Sequence, residues 1–154
     1  MALVGCYVAL AKPLVAGYRV SREVTVEQAA RPGKLTRGDI LRITLRTEAA
    51  QDMAWVAISD PVPTGGLVLG GAARSAAPLG STSAADNAPT WVERGQGWWR
   101  GYFNWLPAGK HTLEYRVRLN SAGRFQLPAT RVEAMYAPDV FGATPNRALE
   151  VGAQ

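Results

Sequence analysis

The sequence predicts an all-β domain, an antiparallel β-sandwich of about seven to eight strands. Hydrophobic and polar residues alternate with a period of two in several separate runs, which is typical of strands with one face on a core. Turn sequences rich in Gly and Pro separate these runs, and the chain holds 16 Gly and 10 Pro. No segment carries a sustained helical period of about 3.6 residues with capping residues. The length of 154 residues fits a single domain spanning residues 1–154.

The expected strands follow one another along the chain at short intervals. The first is Leu3–Lys12, which Pro13 would end, and the last is Ala148–Val151. Between them, six sets of residues are each expected to share an inward face: Tyr18, Val20, Val24 and Val26; Leu41, Ile43 and Leu45; Val56 and Ile58; Trp99, Phe103 and Trp105; Leu113, Tyr115, Val117 and Leu119; and Val132, Ala134 and Tyr136. Arg22 is a charged exception within the first of these sets.

Residues 70–90 are predicted to form a flexible surface insertion between two strands. Gly70–Pro89 contains seven Ala, four Ser or Thr and no aromatic residue. Such a segment cannot bury enough apolar surface to offset the entropy lost on ordering. A short helical turn around Ala72–Ala77 is compatible with this composition.

Composition excludes several classes of protein. The one cysteine, Cys6, rules out an intrachain disulfide, and together with the one histidine, His111, it argues against a metal centre. Leu3-Val4-Gly5-Cys6 spells a lipoprotein cleavage box, but only Met1-Ala2 precede it, so an ordinary strand is favoured. No apolar run reaches the about 18 residues of a membrane-spanning helix. The net charge of +5 is spread along the sequence, which does not indicate a nucleic-acid-binding surface.

No combination of residues predicts catalysis, and we expect no enzyme activity and no cofactor. A hydrolase using His111 would need a nucleophile motif such as Gly-x-Ser-x-Gly, and none occurs. Two pairs of acidic residues are of interest, Asp52 with Asp60 and Glu133 with Asp139. A domain of this size is expected to contain two such pairs by chance. Phosphate-binding, dinucleotide-binding and calcium-binding motifs are also absent from the sequence.

Six aromatic residues interleaved with Arg94 and Arg100 allow three interpretations. They are Trp91, Trp98, Trp99, Tyr102, Phe103 and Trp105. The alternation places Trp99, Phe103 and Trp105 on one side, which favours core packing over a partner-docking face or a platform for sugars or bases.

The carboxy-terminal part of the chain resembles the last domain of bacterial alpha-2-macroglobulins. Phe125–Gly142 follows the family pattern F-x-L-P-x-x-x-x-E-x-M-Y-x-P. Four further segments resemble the family in the same order: Gly17–Arg22, Thr36–Asp39, Asp60–Gly65, and Leu106–Gly109 before a strand that ends at Arg116–Arg118. The resemblance covers about residues 15–151.

The resemblance implies a macroglobulin-like sandwich, the non-catalytic C-terminal domain of a periplasmic or otherwise extracytoplasmic protease-trapping protein. Its partners would be other domains of the parent chain, and proteases through the parent; whether the parent is a lipoprotein stays open. The thioester string of some relatives, C-L-E-Q, is absent here. The bait segment is absent as well, so inhibition is expected of the parent alone. In relatives that carry a thioester, this domain packs over the thioester domain and helps to shield it. The alternative is a free-standing extracytoplasmic adhesion or carbohydrate-binding module with tryptophans on its surface.

Met135, Tyr136 and Pro138 are the predicted interdomain docking residues. Alternation places Val132 and Ala134 inward and Met135 outward, with Tyr136 assigned either to the core or to the docking surface. Pro138 cannot donate a ladder hydrogen bond, so the strand is expected to end near it.

Overall fold

The structure is a computed structural model that describes residues 10–75 and 88–153. The described residues form twelve strands and no helix. The strands are β1 (Leu14–Ala16), β2 (Tyr18–Gln28), β3 (Ile40–Ala49), β4 (Met53–Pro61), β5 (Leu67–Ser75), β6 (Trp91–Gly95), β7 (Trp98–Leu106), β8 (Gly109–Arg118), β9 (Gly123–Phe125), β10 (Thr130–Ala134), β11 (Ala137–Thr144) and β12 (Leu149–Val151).

Two antiparallel sheets face each other, which confirms the predicted all-β sandwich. One sheet has six strands in the order β1-β11-β10-β4-β7-β6, and the other has four in the order β2-β3-β8-β5. A two-stranded ribbon, β12-β9, is bridged to the loop before β3, where Thr36 pairs with Gly152. The structure has more strands than the eight expected because short strands such as β1 and β9 carry too few residues to show an alternating pattern.

The core lies between the two sheets and contains most of the residues that alternation placed inward. Leu41, Ile43 and Leu45 of β3 pair with Val117, Tyr115 and Leu113 of β8, and all six are buried. Val56, Ile58, Trp99, Phe103 and Val132 supply the opposite wall from the six-stranded sheet. Trp99 and Tyr115 stack across the interior with ring centroids 4.9 Å apart and planes within 6° of parallel. The core prediction is therefore confirmed for β3, β8 and most of β4 and β7.

Four residues expected inward are exposed. Val24 and Val26 lie in the second half of β2, an edge strand whose first half is the part buried against the other sheet. Trp105 is 57% exposed because the alternation of β7 breaks after Phe103, and Leu106 takes the buried position instead. Tyr136 is 80% exposed because β10 ends at Ala134, before the tyrosine.

The structure differs from the predictions in two segments, the first strand and the predicted insertion that begins at residue 70. Residues 10–13 belong to no strand, and β1 begins at Leu14, after Pro13; the remainder of the expected strand Leu3–Lys12 lies outside the described residues. β5 continues to Ser75, although its pairing with β8 is interrupted between Leu69 and Arg74. The predicted start of the insertion at residue 70, and the helical turn at its beginning, are therefore wrong. Residues 76–87 lie outside the described residues, and for them the insertion stays a prediction.

None of the described residues forms a helix that is long and apolar enough to cross a membrane.

Candidate functional site

A buried cluster of polar side chains around Asp60 joins the two sheets. Nε of Arg22 donates to both carboxylate oxygens of Asp60 at 3.0 Å, and its Nη2 donates to the carbonyl of Pro61 at 3.2 Å. The hydroxyls of Tyr115 and Thr130 also donate to the Asp60 carboxylate. The Asp60 side chain is fully buried and that of Arg22 is 6% exposed. The charged exception in β2 therefore points inward because its partner lies there.

This cluster is arranged for cohesion rather than for proton transfer. Burial, followed by the neighbouring Asp60 charge, raises the pKa of Tyr115 well above its usual value, so this hydroxyl remains a donor. Asn146 donates to the Thr130 hydroxyl at 2.9 Å, which extends the network to the loop before β12. The donors Arg22, Tyr115 and Thr130 occupy the Asp60 carboxylate and come from both sheets, so the cluster fixes one sheet against the other.

The other candidate catalytic residues are held in structural contacts. Asp52 accepts a hydrogen bond from the amide of Ala108 at 2.7 Å, and Glu133 pairs with Arg131 at 3.1 Å. His111 is buried with its Nε2 2.7 Å from the carbonyl oxygen of Pro107. Within the described part of the chain, no group of three or more His, Cys, Asp or Glu residues could hold a metal ion. Asp52 and His111 thus contact the same peptide group, that of Pro107 and Ala108, and each is occupied by a backbone partner there, whereas Asp60 and Glu133 bond to other groups.

The predicted docking residues Met135 and Tyr136 form the turn that connects β10 to β11. Ala134 pairs with Ala137 across this hairpin, so the two residues between them form its tip. Met135 is 48% exposed, as alternation predicted, and Tyr136 is more exposed still. This exposure excludes the interpretation of Tyr136 as a core residue.

Pro138 lies near the start of β11 rather than at the end of a strand. Glu133 pairs with Phe141 while Ala134 pairs with Ala137, so the three residues 138–140 bulge out of the ladder. A proline is compatible with a bulge because no ladder donor is needed there. The strand that is expected to end near Pro138 ends four residues earlier, at Ala134, and Pro138 lies in β11, exposed beside the hairpin tip.

Trp55 contacts the hairpin tip from the neighbouring strand β4. Its indole is 48% exposed and meets the ring of Tyr136 edge to face, with centroids 6.4 Å apart and an angle of 87° between the planes. Its carbonyl accepts a hydrogen bond from the amide of Met135 at 2.8 Å. Trp55 also has a φ of 56°, which is a left-handed conformation that bulky residues rarely adopt. Trp55 lies outside the sets of residues that alternation in the sequence assigns to a common face.

Trp105 is exposed on the other side of β4. β10 and β7 are the two neighbours of β4, and Trp105 of β7 pairs with Ala54 just before Trp55. Trp55, Trp105, Met135 and Tyr136 thus lie together at one end of the six-stranded sheet. We refer to these four residues as the aromatic end.

The opposite end of the molecule carries a groove of about 720 Å³ whose lining mixes charged and apolar residues. Arg31, Lys34 and Arg124 line it together with Glu150, and the groove is open to solvent. Small-molecule sites are usually concave and mostly apolar, with a few convergent polar groups. The charged lining and open shape do not match such a site, and the two ends of the sandwich differ in chemical character.

Comparison with protein families gives one match that covers most of the chain. A family described as the bacterial alpha-2-macroglobulin MG10 domain matches residues 17–139. The match includes the Asp60 cluster apart from Asn146, as well as all four residues of the aromatic end. A curated protein from Dictyostelium discoideum, circularly permutated Ras protein 2, is 40% identical over 43 residues, but these are 28% of this chain and 1% of that protein.

Solved structures of bacterial alpha-2-macroglobulins share the fold. The native conformation of the Escherichia coli protein matches 91% of this chain with a TM-score of 0.72 and 18% identity. A Salmonella alpha-2-macroglobulin mutant gives the same TM-score, identity and coverage of this chain. A trypsin-activated form of the E. coli protein matches 91% of this chain with a TM-score of 0.68 and 16% identity. This chain spans about a tenth of each of these proteins: 10%, 9% and 11% respectively.

Proposed function

Because the chain belongs to the family of bacterial alpha-2-macroglobulin MG10 domains, we propose that it is a non-catalytic docking domain of a larger protease-trapping protein. The parent would act outside the cytoplasm, in the periplasm of a bacterium, as the family resemblance implies. Proteases would be partners of the parent rather than of this domain. Activation by trypsin, described for a similar E. coli protein, supports this assignment of the parent.

The aromatic end is the observation that carries the proposal. Trp55, Trp105, Met135 and Tyr136 are all about half exposed or more, and they cluster on one end rather than scatter over the surface. Exposed apolar patches on soluble domains commonly mark interaction surfaces. Methionine and aromatic side chains are enriched in the centres of protein interfaces. We therefore assign this end to contact with another protein surface.

The proposed occupant is a neighbouring domain of the same parent chain. The domain covers about a tenth of the alpha-2-macroglobulins it resembles, so most of such a protein lies outside it. In a parent that carries a thioester, the neighbour would be the thioester domain, and the hairpin tip would help to keep water from the reactive bond. A neighbour in the same chain has a high effective concentration, so a small patch suffices for docking.

A paired substitution at the hairpin tip tests the docking function. Met135→Ser combined with Tyr136→Ser should change the free energy of unfolding of the isolated domain by less than about 1 kcal/mol, because both side chains are exposed. In the full-length parent, the same pair should abolish the interdomain protection of residues 130–144 from hydrogen exchange. A matched control, Val26→Ser with Leu67→Ser, removes two exposed apolar residues on the four-stranded sheet and should leave that protection intact. Retained protection in the hairpin variant would refute docking through this end.

The exposed tryptophans leave carbohydrate binding as an alternative function that an experiment can test. Trp55, Trp91 and Trp105 are all exposed, as such a module would require. However, a sugar platform presents the flat face of a ring, whereas Trp55 and Tyr136 meet edge to face. Titration of the isolated chain with oligosaccharides, followed by tryptophan fluorescence, distinguishes the two functions. Docking predicts no saturable change, and a saturable change that Trp91→Ser or Trp105→Ser removes would favour the carbohydrate-binding module.

A further inference from the structure

Trp55 holds a backbone conformation that costs energy and does not serve the core. A left-handed φ is unfavourable for residues with a bulky side chain, and such strained residues concentrate at functional sites. Val56 and Ile58, which follow Trp55 in β4, are fully buried, but the Trp55 indole is half exposed. Glycine or asparagine would satisfy this backbone more easily than tryptophan does. The strain is therefore tolerated for something that the indole does on the surface.

The contact that the indole makes is with the hairpin tip. Trp55 directly precedes the buried Val56, so it lies on the face of β4 that points away from the core, and its ring lies beside Tyr136. The amide of Met135 donates to the Trp55 carbonyl, which fixes the base of the hairpin at the same residue. Tyr136 is 80% exposed. Without the ring contact with Trp55, an exposed tyrosine side chain would move between several rotamers.

We propose that Trp55 is a positioning residue that holds the Tyr136 ring in its docking orientation before the partner domain arrives. This inference rests on the proposed docking function and names one cause of the affinity between this domain and its neighbour. Docking of a pre-ordered side chain avoids part of the entropy cost of association. An edge-to-face contact is sufficient for this task because it fixes the direction of the ring while leaving most of its surface free.

The first measurement uses the isolated chain and does not depend on docking. In the NMR spectrum, the Tyr136 ring protons should carry a ring-current shift from Trp55, and the ring should be ordered on the nanosecond timescale. Trp55→Gly should remove the shift and the order, whereas Trp55→Phe should retain part of both. Trp91→Gly, a change at an exposed tryptophan in β6, should alter neither. An unchanged Tyr136 signal in Trp55→Gly would overturn the inference.

The folding of these variants provides an internal control. Glycine accepts the left-handed backbone, so Trp55→Gly should melt at or above the temperature of Trp55→Phe. Trp55→Asn, which also tolerates this conformation, replaces Trp55→Gly if the glycine variant fails to fold.

The second measurement places the same variants in the full-length parent. Hydrogen-exchange protection of the hairpin should fall about tenfold in Trp55→Gly, because a disordered Tyr136 must be ordered on docking. If protection is unchanged in Trp55→Gly but lost in the Met135→Ser, Tyr136→Ser pair, docking stands and the positioning role of Trp55 is rejected. If the pair also leaves protection unchanged, the docking function itself fails, and the inference fails with it.

Discussion

At the scale of single residues, the fold depends on polar side chains that are buried together with their partners. Arg22 and Asp60 form an ion pair that is closed to solvent, and two hydroxyl groups complete the hydrogen bonding of the carboxylate. Burial makes such a pair weak as a net source of stability but costly to break from one side. Its role here is to fix the position of one sheet relative to the other.

We predict that Asp60→Asn destabilises the domain by about 3–5 kcal/mol, because it leaves the Arg22 charge buried without a counterion. The control is Glu23→Gln, which removes the exposed pair between Glu23 and Arg46 and should cost less than about 1 kcal/mol. Chemical denaturation of both variants measures the difference. Equal and small costs would show that the buried pair does not hold the sheets together.

A second buried carboxylate makes stability depend on pH. Asp39 accepts hydrogen bonds from the amides of Thr36 and Ala30 at 2.8 and 2.9 Å, within the turn that leads into β3. Desolvation on burial raises the pKa of Asp39, but these bonds and the Thr36 hydroxyl outweigh it, so the pKa lies below its ordinary value. The ionised form is thus favoured by folding. Its contribution is fully present above the unfolded pKa of about 3.9 and is lost as pH falls through the lower folded value.

Asp39→Asn should therefore reduce stability at neutral pH and flatten the loss of stability on acidification below about pH 4. Thermal unfolding of the wild type and the variant at a series of pH values gives both slopes. Asp139→Asn, at an exposed position, should follow the wild-type curve. A variant curve parallel to that of the wild type below pH 4 would contradict the assigned role of Asp39.

At the scale of elements, β11 and β2 approach each other more closely than a side chain would permit. A Cβ atom at Gly142 would overlap the backbone carbonyl of Tyr18, and backbone cannot move aside as a flexible side chain does. Gly142→Ala should therefore cost about 1–3 kcal/mol through overpacking. Gly152→Ala is the control, because its nearest neighbour atom would be 3.5 Å away, an ordinary contact. If the two variants were equally stable in denaturation experiments, the close approach of β11 to β2 would be wrong.

The strands differ in how well the sequence predicts them, for identifiable physical reasons. β8 alternates without interruption, and each of Leu113, Tyr115 and Val117 is buried as expected. In β7 the alternation fails after Phe103, where Asn104 and Trp105 are both exposed and Leu106 is buried. The left-handed backbone of Trp55 in β4 leaves no trace in residue periodicity. At the end of β10, a two-residue turn intervenes before the pattern can continue.

The candidate site was predicted in part. The outward position of Met135 follows from local alternation, and the family resemblance pointed to Met135 and Tyr136 as docking residues, but the hairpin that carries them was not predicted. The contribution of Trp55 required tertiary structure, since it lies about 80 residues before Tyr136 and meets it only through the pairing of β4 with β10. Likewise, Arg22 was visible as an exception, but its partner Asp60 lies 38 residues away.

At the scale of the whole molecule, the sandwich has two unlike ends joined by a continuous core. The aromatic end carries two tryptophans, a tyrosine and a methionine, and the other end carries a groove with Arg31, Lys34 and Arg124. Val26, Leu67 and Trp91 are exposed elsewhere, but four large exposed side chains lie together at the aromatic end, which suits a fixed orientation within a larger chain. This asymmetry supports the central claim that the aromatic end is the docking end.

Hydroxyl-radical footprinting of the isolated domain and of the full-length parent tests this claim most directly. The reaction labels exposed Met, Tyr and Trp side chains, so it reports on the docking residues themselves. Docking through the aromatic end predicts that Met135, Tyr136 and Trp55 are strongly labelled in the isolated domain and protected at least about tenfold in the parent. Trp98, half-buried at the other end of β7, where it pairs with Pro61, should be labelled equally in both. Equal labelling of Met135 and Tyr136 in the two proteins would contradict docking through the aromatic end.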